Sequence, residues 1–191
     1  NMKEVLEIKE VFSSNNNNKL AILHCVTKYP MDPEFANLKA INTLKRKLKI
    51  PIGYSDHSLG IDVCKTAVSI GANIIEKHVT MDKRQKGPDH ILSATPKELK
   101  ELTAFSKIAF SSLGNGIKKP AKCEEFTRKE SRKSIVTIKN IMKGDKISKN
   151  MIKIMRPGYG IPPKDFKKII GKTAKHDVNV DHVLKWTDLI H

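Results

Sequence analysis

Two short stretches concentrate residues able to do chemistry. "GYSDHS", residues 53 to 58, sets Ser55, Asp56, His57 and Ser58 side by side, and "IIEKHVT", residues 74 to 80, sets Glu76, Lys77 and His78 together. Each follows an apolar run of strand length. Two imidazoles on neighbouring strand ends could bind one divalent ion, leaving its other positions open to water and substrate oxygens, as a catalytic ion requires. Two nitrogen ligands with oxygens around them suit Mn2+ or Mg2+ better than a closed zinc site. The alternative is structural: His57 pairs with Asp56 or a backbone carbonyl, and His78 with Glu76. Ser55 precedes His57 by two residues and shares its side of an extended backbone, where it could donate to an anionic substrate. Ser55 and Ser58 could instead cap a helix starting near Gly60. Asp89, in the turn "KGPDH", reads as an Asx-turn or a substrate contact. Tyr29, in "TKYP", either overhangs the same strand edge or faces the core. Arg156, in "RPGYGI", is either a solvated turn residue or a fork of donors for a carbonyl or carboxylate. His90, in the same turn, reads as Asp89 does, and His24, His176, His182 and His191 show no constellation around them.

The elements that must position these groups follow from periodicity. Residues 2 to 13 have helical spacing with Asn1 as N-cap, "SSNNNNK" is a polar connector, and "LAILHCV" is a strand. Residues 35 to 48 return to helical spacing, "IPIGYSDH" is the second strand, a helix carries Cys64, Val68 and Ala72, and "NIIEKHVT" is the third strand. Alternating strands and helices imply a parallel sheet with right-handed crossovers, so that His57 and His78 share the C-terminal edge where ligands bind in α/β folds. Thr95, Pro96 and Glu98 announce a last helix ending at Gly114. The expected domains are residues 1–113, a linker at 114–130 containing Gly116 and Pro120, and a small β-rich domain at 131–191.

Composition bounds the partners. Lys and Arg number 36 against 20 Asp and Glu, a formal net charge of +16, which favours anionic ligands. The lysines are dispersed, and one Trp and three Tyr offer little for base stacking, so nucleic acid is not an expected partner. Three cysteines with no CxxC pair fit a reducing cytoplasm. No apolar run approaches the roughly 18 residues that span a bilayer, so no membrane partner is expected. The chain also reads as cut, since it begins inside a helical pattern.

"LHCVTKYP", "GYSDHS", "IIEKHVT", "GPDHILSATPKEL" and "IMRPGYGI", in that order, resemble the bacterial sialic acid synthases and their legionaminic acid synthase relatives. The resemblance implies the C-terminal portion of a (β/α)8 TIM barrel followed by an antifreeze-like (SAF) domain, in a protein that forms a domain-swapped homodimer at full length. It implies condensation of phosphoenolpyruvate with an N-acetylmannosamine-type sugar, giving a nine-carbon 2-keto acid and phosphate. The implied cofactor is Mn2+, with Mg2+ or Co2+ as substitutes, held by His57 and His78. Ser55 and Thr27 would contact phosphoenolpyruvate, Tyr29 and Asp89 the amino sugar, and Arg156 the sugar's acyl group in the other subunit. Glu76 would be an acidic catalytic residue beside the metal. Val26 and Lys86 depart from the family's common threonine and proline. The family's phosphate-clamping lysine and its glutamate base come from strands not in this sequence, so the chain alone is expected to be inactive. The alternative is a non-catalytic carbohydrate-binding or assembly module.

Overall fold

The computed structural model describes residues 1–17 and 19–190. The chain divides into two compact units, Asn1–Ile117 and Lys118–His191. Asn18, in the polar connector, and His191 lie outside the described residues.

In the first unit the Asn1 side chain accepts hydrogen bonds from the Lys3 and Glu4 amides and starts α1 (Met2–Ser14), satisfying donors that the first turn leaves unpaired. Strands β1 (Ile22–Cys25), β2 (Ile52–Asp56) and β3 (Ile75–Lys77) form a parallel sheet in the order β1-β2-β3. Helices α2 (Lys39–Leu48) and α3 (Asp62–Ser69) make the crossovers. Ile41, Leu44 and Leu48 line one face of α2 and are buried; three basic residues in its last turn oppose the negative end of its dipole, and Lys49 ends it in a left-handed conformation. The main core packs this face with Met31, Ala36, Ile52, Tyr54, Val63 and Ala67. Helix α4 (Pro96–Leu113) begins with the expected capping box between Thr95 and Glu98 and stops at Gly114.

Three local readings are corrected. Helix α2 starts at Lys39 rather than near Phe35, because Pro33–Phe35 form a separate 3-10 turn and Asn37 has φ of 41°. Neither Ser55 nor Ser58 caps α3, whose N-cap position is Ile61 with no side-chain bond; Asp56 takes the Ser58 hydroxyl at 3.0 Å. Within the stretch read as linker, Glu125–Ser131 form a helix, α5. The Gly158 amide donates to the Lys129 carbonyl on α5 at 2.7 Å, so backbone bonding holds a helix whose sequence lacks a sustained apolar face.

The second unit pairs β4 (Ser134–Thr137) with β5 (Ile152–Met155), and β6 (Thr173–Ala174) with β7 (Leu189–Ile190), both antiparallel. One short helix, α6 (Phe166–Ile169), sits between β5 and β6. Its core is rich in isoleucine: Ile135, Ile141, Ile147, Ile152, Ile161 and Ile169 are buried, with Leu184 among them. Among the described residues, no helix is long and apolar enough to cross a membrane.

Candidate functional site

Alternation along β2 divides its polar residues between two environments. Ile52 and Tyr54 join the helix-covered core, so Gly53, Ser55 and His57 belong to the opposite face. Register then builds a row on that face: Cys25 is level with Ser55, and Ser55 with Glu76. The Ser55 hydroxyl donates to Glu76 Oε1 at 2.6 Å. One step further toward the C-terminal edge stand His57 and His78, with ring centres 5.4 Å apart and planes at 80°. Tyr29, on the loop after β1, lies against His57 at 3.9 Å between centres and meets His78 edge-on at 5.9 Å. The Met31 amide donates to the His57 carbonyl at 2.9 Å and anchors that loop over the strand end.

His57 is 4% exposed, and its Nδ1 lies 3.0 Å from the Val26 carbonyl. A carbonyl only accepts, so Nδ1 carries the proton and Nε2 is left with a free lone pair, the arrangement in which metal-binding imidazoles are commonly held. The Cys25 thiol also lies 3.7 Å from Nδ1. His78 does not pair with Glu76, which is engaged by Ser55; its neighbour is Asp89, with Oδ2 3.6 Å from Nδ1. Asp89 therefore faces the site rather than closing an Asx-turn, while its carbonyl accepts the Ser93 hydroxyl at 2.6 Å. The Thr80 hydroxyl bonds His90 Nδ1 at 2.8 Å, which staples the loop carrying Asp89.

Two imidazoles this close, with His57 fixed in one tautomer, fit a divalent ion bound by two protein nitrogens and completed by oxygens. Among the described residues no group of three or more His, Cys, Asp or Glu side chains gathers as a metal cluster. Thr27 is exposed on the loop after β1. Arg156 lies in the second unit, where its Nε donates to the Ser131 carbonyl at 3.1 Å.

Two features were only partly signalled by the residues singled out from the sequence. The Val26 contact is the backbone-carbonyl pairing expected as an alternative for His57, but no side-chain pattern says which carbonyl makes it. In the second unit, His182 and His176 do have a constellation: Nε2 of each lies near the buried Asp188 carboxylate, at 2.9 and 3.4 Å. Burial alone would push the Asp188 carboxyl up, but the Lys185 amide and the two imidazoles hold it below the usual carboxylate range.

The first unit is thus an α/β unit with a histidine pair on the C-terminal edge of a parallel sheet, and a small β-rich unit follows it. The NeuB family model matches residues 1–118 and the SAF domain model residues 132–190. The chain belongs to the NeuB family. It is 40% identical to an N,N'-diacetyllegionaminic acid synthase of Legionella pneumophila over 94% of this chain and 50% of that protein. It is 37% identical to the Campylobacter jejuni enzyme of the same name over 97% of this chain and 56% of the relative. A solved N-acetylneuraminic acid synthetase from Leptospira borgpetersenii superposes with a TM-score of 0.63 at 42% identity, covering 66% of this chain and 44% of that one. The chain spans about half the length of the curated relatives it matches.

Proposed function

We propose that this chain carries the metal and sugar side of a sialic acid synthase-type active site, in which phosphoenolpyruvate condenses with an N-acetylmannosamine-type sugar to give a nine-carbon 2-keto acid and phosphate. The observation that carries the reading is the His57–His78 pair, 5.4 Å apart on one sheet edge with the His57 Nδ1 proton spent on Val26. On this reading the three strands are the last part of a (β/α)8 barrel. The relatives' names support the product class.

His57 and His78 would hold the divalent ion, Mn2+ by choice with Mg2+ or Co2+ as substitutes. When bound, the ion polarises the sugar aldehyde as a Lewis acid. Ser55 offers its hydroxyl to phosphoenolpyruvate once released from Glu76, and Thr27 adds a second hydroxyl from the neighbouring loop. Glu76, exposed and already accepting a proton donor at Oε1, is the carboxylate suited to exchange a proton at this edge. Tyr29 covers His57 with its ring and excludes water there, while Asp89 accepts from sugar hydroxyls beside His78. Arg156 is assigned to the acyl group of a sugar bound by the other subunit of a domain-swapped homodimer, a role that its fork of donors suits.

The test is direct. Mn2+ titration of the chain, read by the electron paramagnetic resonance of free ion, should show a site lost in both His57→Ala and His78→Ala. Product formation from phosphoenolpyruvate and each candidate sugar is followed by mass spectrometry in a chain extended to the full barrel, since this chain alone is expected to be inactive. Unchanged Mn2+ affinity in both variants refutes the metal assignment. Metal and sugar binding without any product, in a chain supplemented to full barrel length, would favour the non-catalytic carbohydrate-binding alternative.

A further inference from the structure

Directly behind the two histidines lies a charged pair that the proposed reaction does not use. Asp56 precedes His57 and Lys77 precedes His78, and the two are register partners, the last pair in the β2–β3 ladder. Their side chains turn to the helix-covered side, 0% and 2% exposed, with Lys77 Nζ 2.7 Å from Asp56 Oδ2. The Asp56 carboxylate also accepts the Ser58 amide at 3.1 Å, the Ser58 hydroxyl at 3.0 Å and the Cys64 thiol at 3.3 Å. The Lys77 ammonium donates a second bond to the Ser58 carbonyl. Burial, reinforced by Asp56, pushes the Cys64 thiol up to about 12 and the Tyr54 phenol up as well, so these neighbours stay neutral.

A fully buried ion pair is a poor way to stabilise a core, because desolvation of both charges offsets much of their attraction and apolar residues of similar size often do as well. Its placement suggests another role. Beyond Asp56 and Lys77 the two backbones part: the His57 carbonyl accepts the Met31 amide, and the His78 carbonyl accepts the Ala94 amide. At the level of the imidazoles the two strand ends are bonded to different neighbours. The Lys77 ammonium spans the gap, since it binds the residue before His57 and the residue after it while itself preceding His78.

We infer that the buried Asp56–Lys77 pair is a positioning device that sets the separation of His57 and His78, and hence the bite of the divalent-metal site. The inference rests on the metal reading proposed for those histidines. Asp56 and Lys77 touch neither metal nor substrate; they act only through the backbone of the ligands.

The test uses the whole chain and reads Mn2+ affinity together with the urea midpoint. Single removal of either partner strands a buried charge, so the informative variant is the double substitution Asp56→Leu with Lys77→Met, which removes both charges at similar volume. The expected result is a midpoint close to that of the unaltered chain with Mn2+ bound tenfold or more weakly, the scale at which supporting contacts act on metal sites. A folded double variant with a smaller loss of affinity overturns the inference. If the double variant does not fold, Asp56→Glu decides: it keeps both charges but lengthens one arm by a methylene, and the same tenfold criterion applies. His57→Ala runs alongside. If that variant binds Mn2+ as the unaltered chain does, the metal reading itself fails; if it loses the ion while the pair variants do not, only the positioning role fails.

Discussion

Gly53→Ala should disturb the site without touching it. Gly53 lies in β2 two residues before Ser55, and a Cβ built on it would stand 2.7 Å from the Ile74 carbonyl oxygen, 2.8 Å from Ile74 Cβ and 3.0 Å from Leu23 Cγ. Ordinary contact begins near 3.4 Å, so β3 must retreat from β2 by about half an ångström or more, the shortfall between an overpacked contact and a normal one. The Ile74 oxygen is also the acceptor for the Tyr54 amide at 2.9 Å. Moving it away weakens that bond, worth about 1 kcal/mol, and overpacking adds about 1–3 kcal/mol, so a total loss of about 2–4 kcal/mol is expected. Urea unfolding followed by circular dichroism measures it. His57 and His78 ride on the two strands being pushed apart, so if they hold the proposed ion, Mn2+ affinity should fall in the same variant. A Gly53→Ala chain within about 0.5 kcal/mol of the parent, the range of ordinary surface substitutions, would refute the reasoning, since it would mean that the two strands are not held as closely as this contact requires.

Acid should act on both units through named carboxylates. Burial alone would raise the Glu98 carboxyl, yet Lys83 Nζ at 2.7 Å and the Thr95 amide and hydroxyl hold it at about 2. A depressed carboxylate stabilises the fold above its unfolded value of about 4.5 and loses that contribution as pH falls toward 2; with a quarter of the side chain exposed, about 1–2 kcal/mol survives screening, and Glu98→Gln should flatten the acid limb of a urea-midpoint profile by that amount. Thr95→Ala, which removes the hydroxyl of the same capping box, should cost about 1 kcal/mol at neutral pH and show in the thermal midpoint. In the second unit, Asp188→Asn leaves the His182 and His176 rings and the Lys185 amide with a weaker acceptor and should cost about 1–3 kcal/mol. The single tryptophan, Trp186, gives a fluorescence signal for that unit alone, and the loss should vanish as pH drops below the depressed Asp188 pKa, where the parent carboxyl is itself protonated.

Hydrophobic spacing made the β-α-β-α-β order and the shared edge of His57 and His78 legible, because Ile41, Leu44 and Leu48 repeat at helical period while Ile52 and Tyr54 alternate. It could not place the start of α2, which depends on the left-handed φ of Asn37 and a 3-10 turn at Pro33. Ser58 has the residue type of an N-cap and lies at the right distance from a helix, but Asp56 two residues earlier captures its hydroxyl. His176 and His182 looked isolated because Asp188 reaches them through loop packing that leaves no local trace. Glu76, expected as the alternative partner of His78, meets Ser55 instead, and Asp89, expected in an Asx-turn, meets His78; strand register and the path of the Thr80–His90 loop decide both.

The polarity of "GYSDHS" follows from having two faces to serve. Alternation sends Ser55 and His57 to the open edge and Asp56 to the covered side, and Ser58 turns back to join Asp56. The same division recurs across the ladder, where Glu76 and His78 belong to the edge and Lys77 to the buried pair. On the proposed metal reading, six consecutive residues would encode both half of the ligand set and half of the buried pair behind it, and the second stretch would supply the other halves. Substitutions at the covered positions should read, in an activity screen alone, as defects of the site. Mn2+ affinity compared with unfolding free energy separates the two faces: on the proposed reading a change at His57 or His78 should remove the ion and leave the fold intact, whereas an unpaired charge behind it should weaken both.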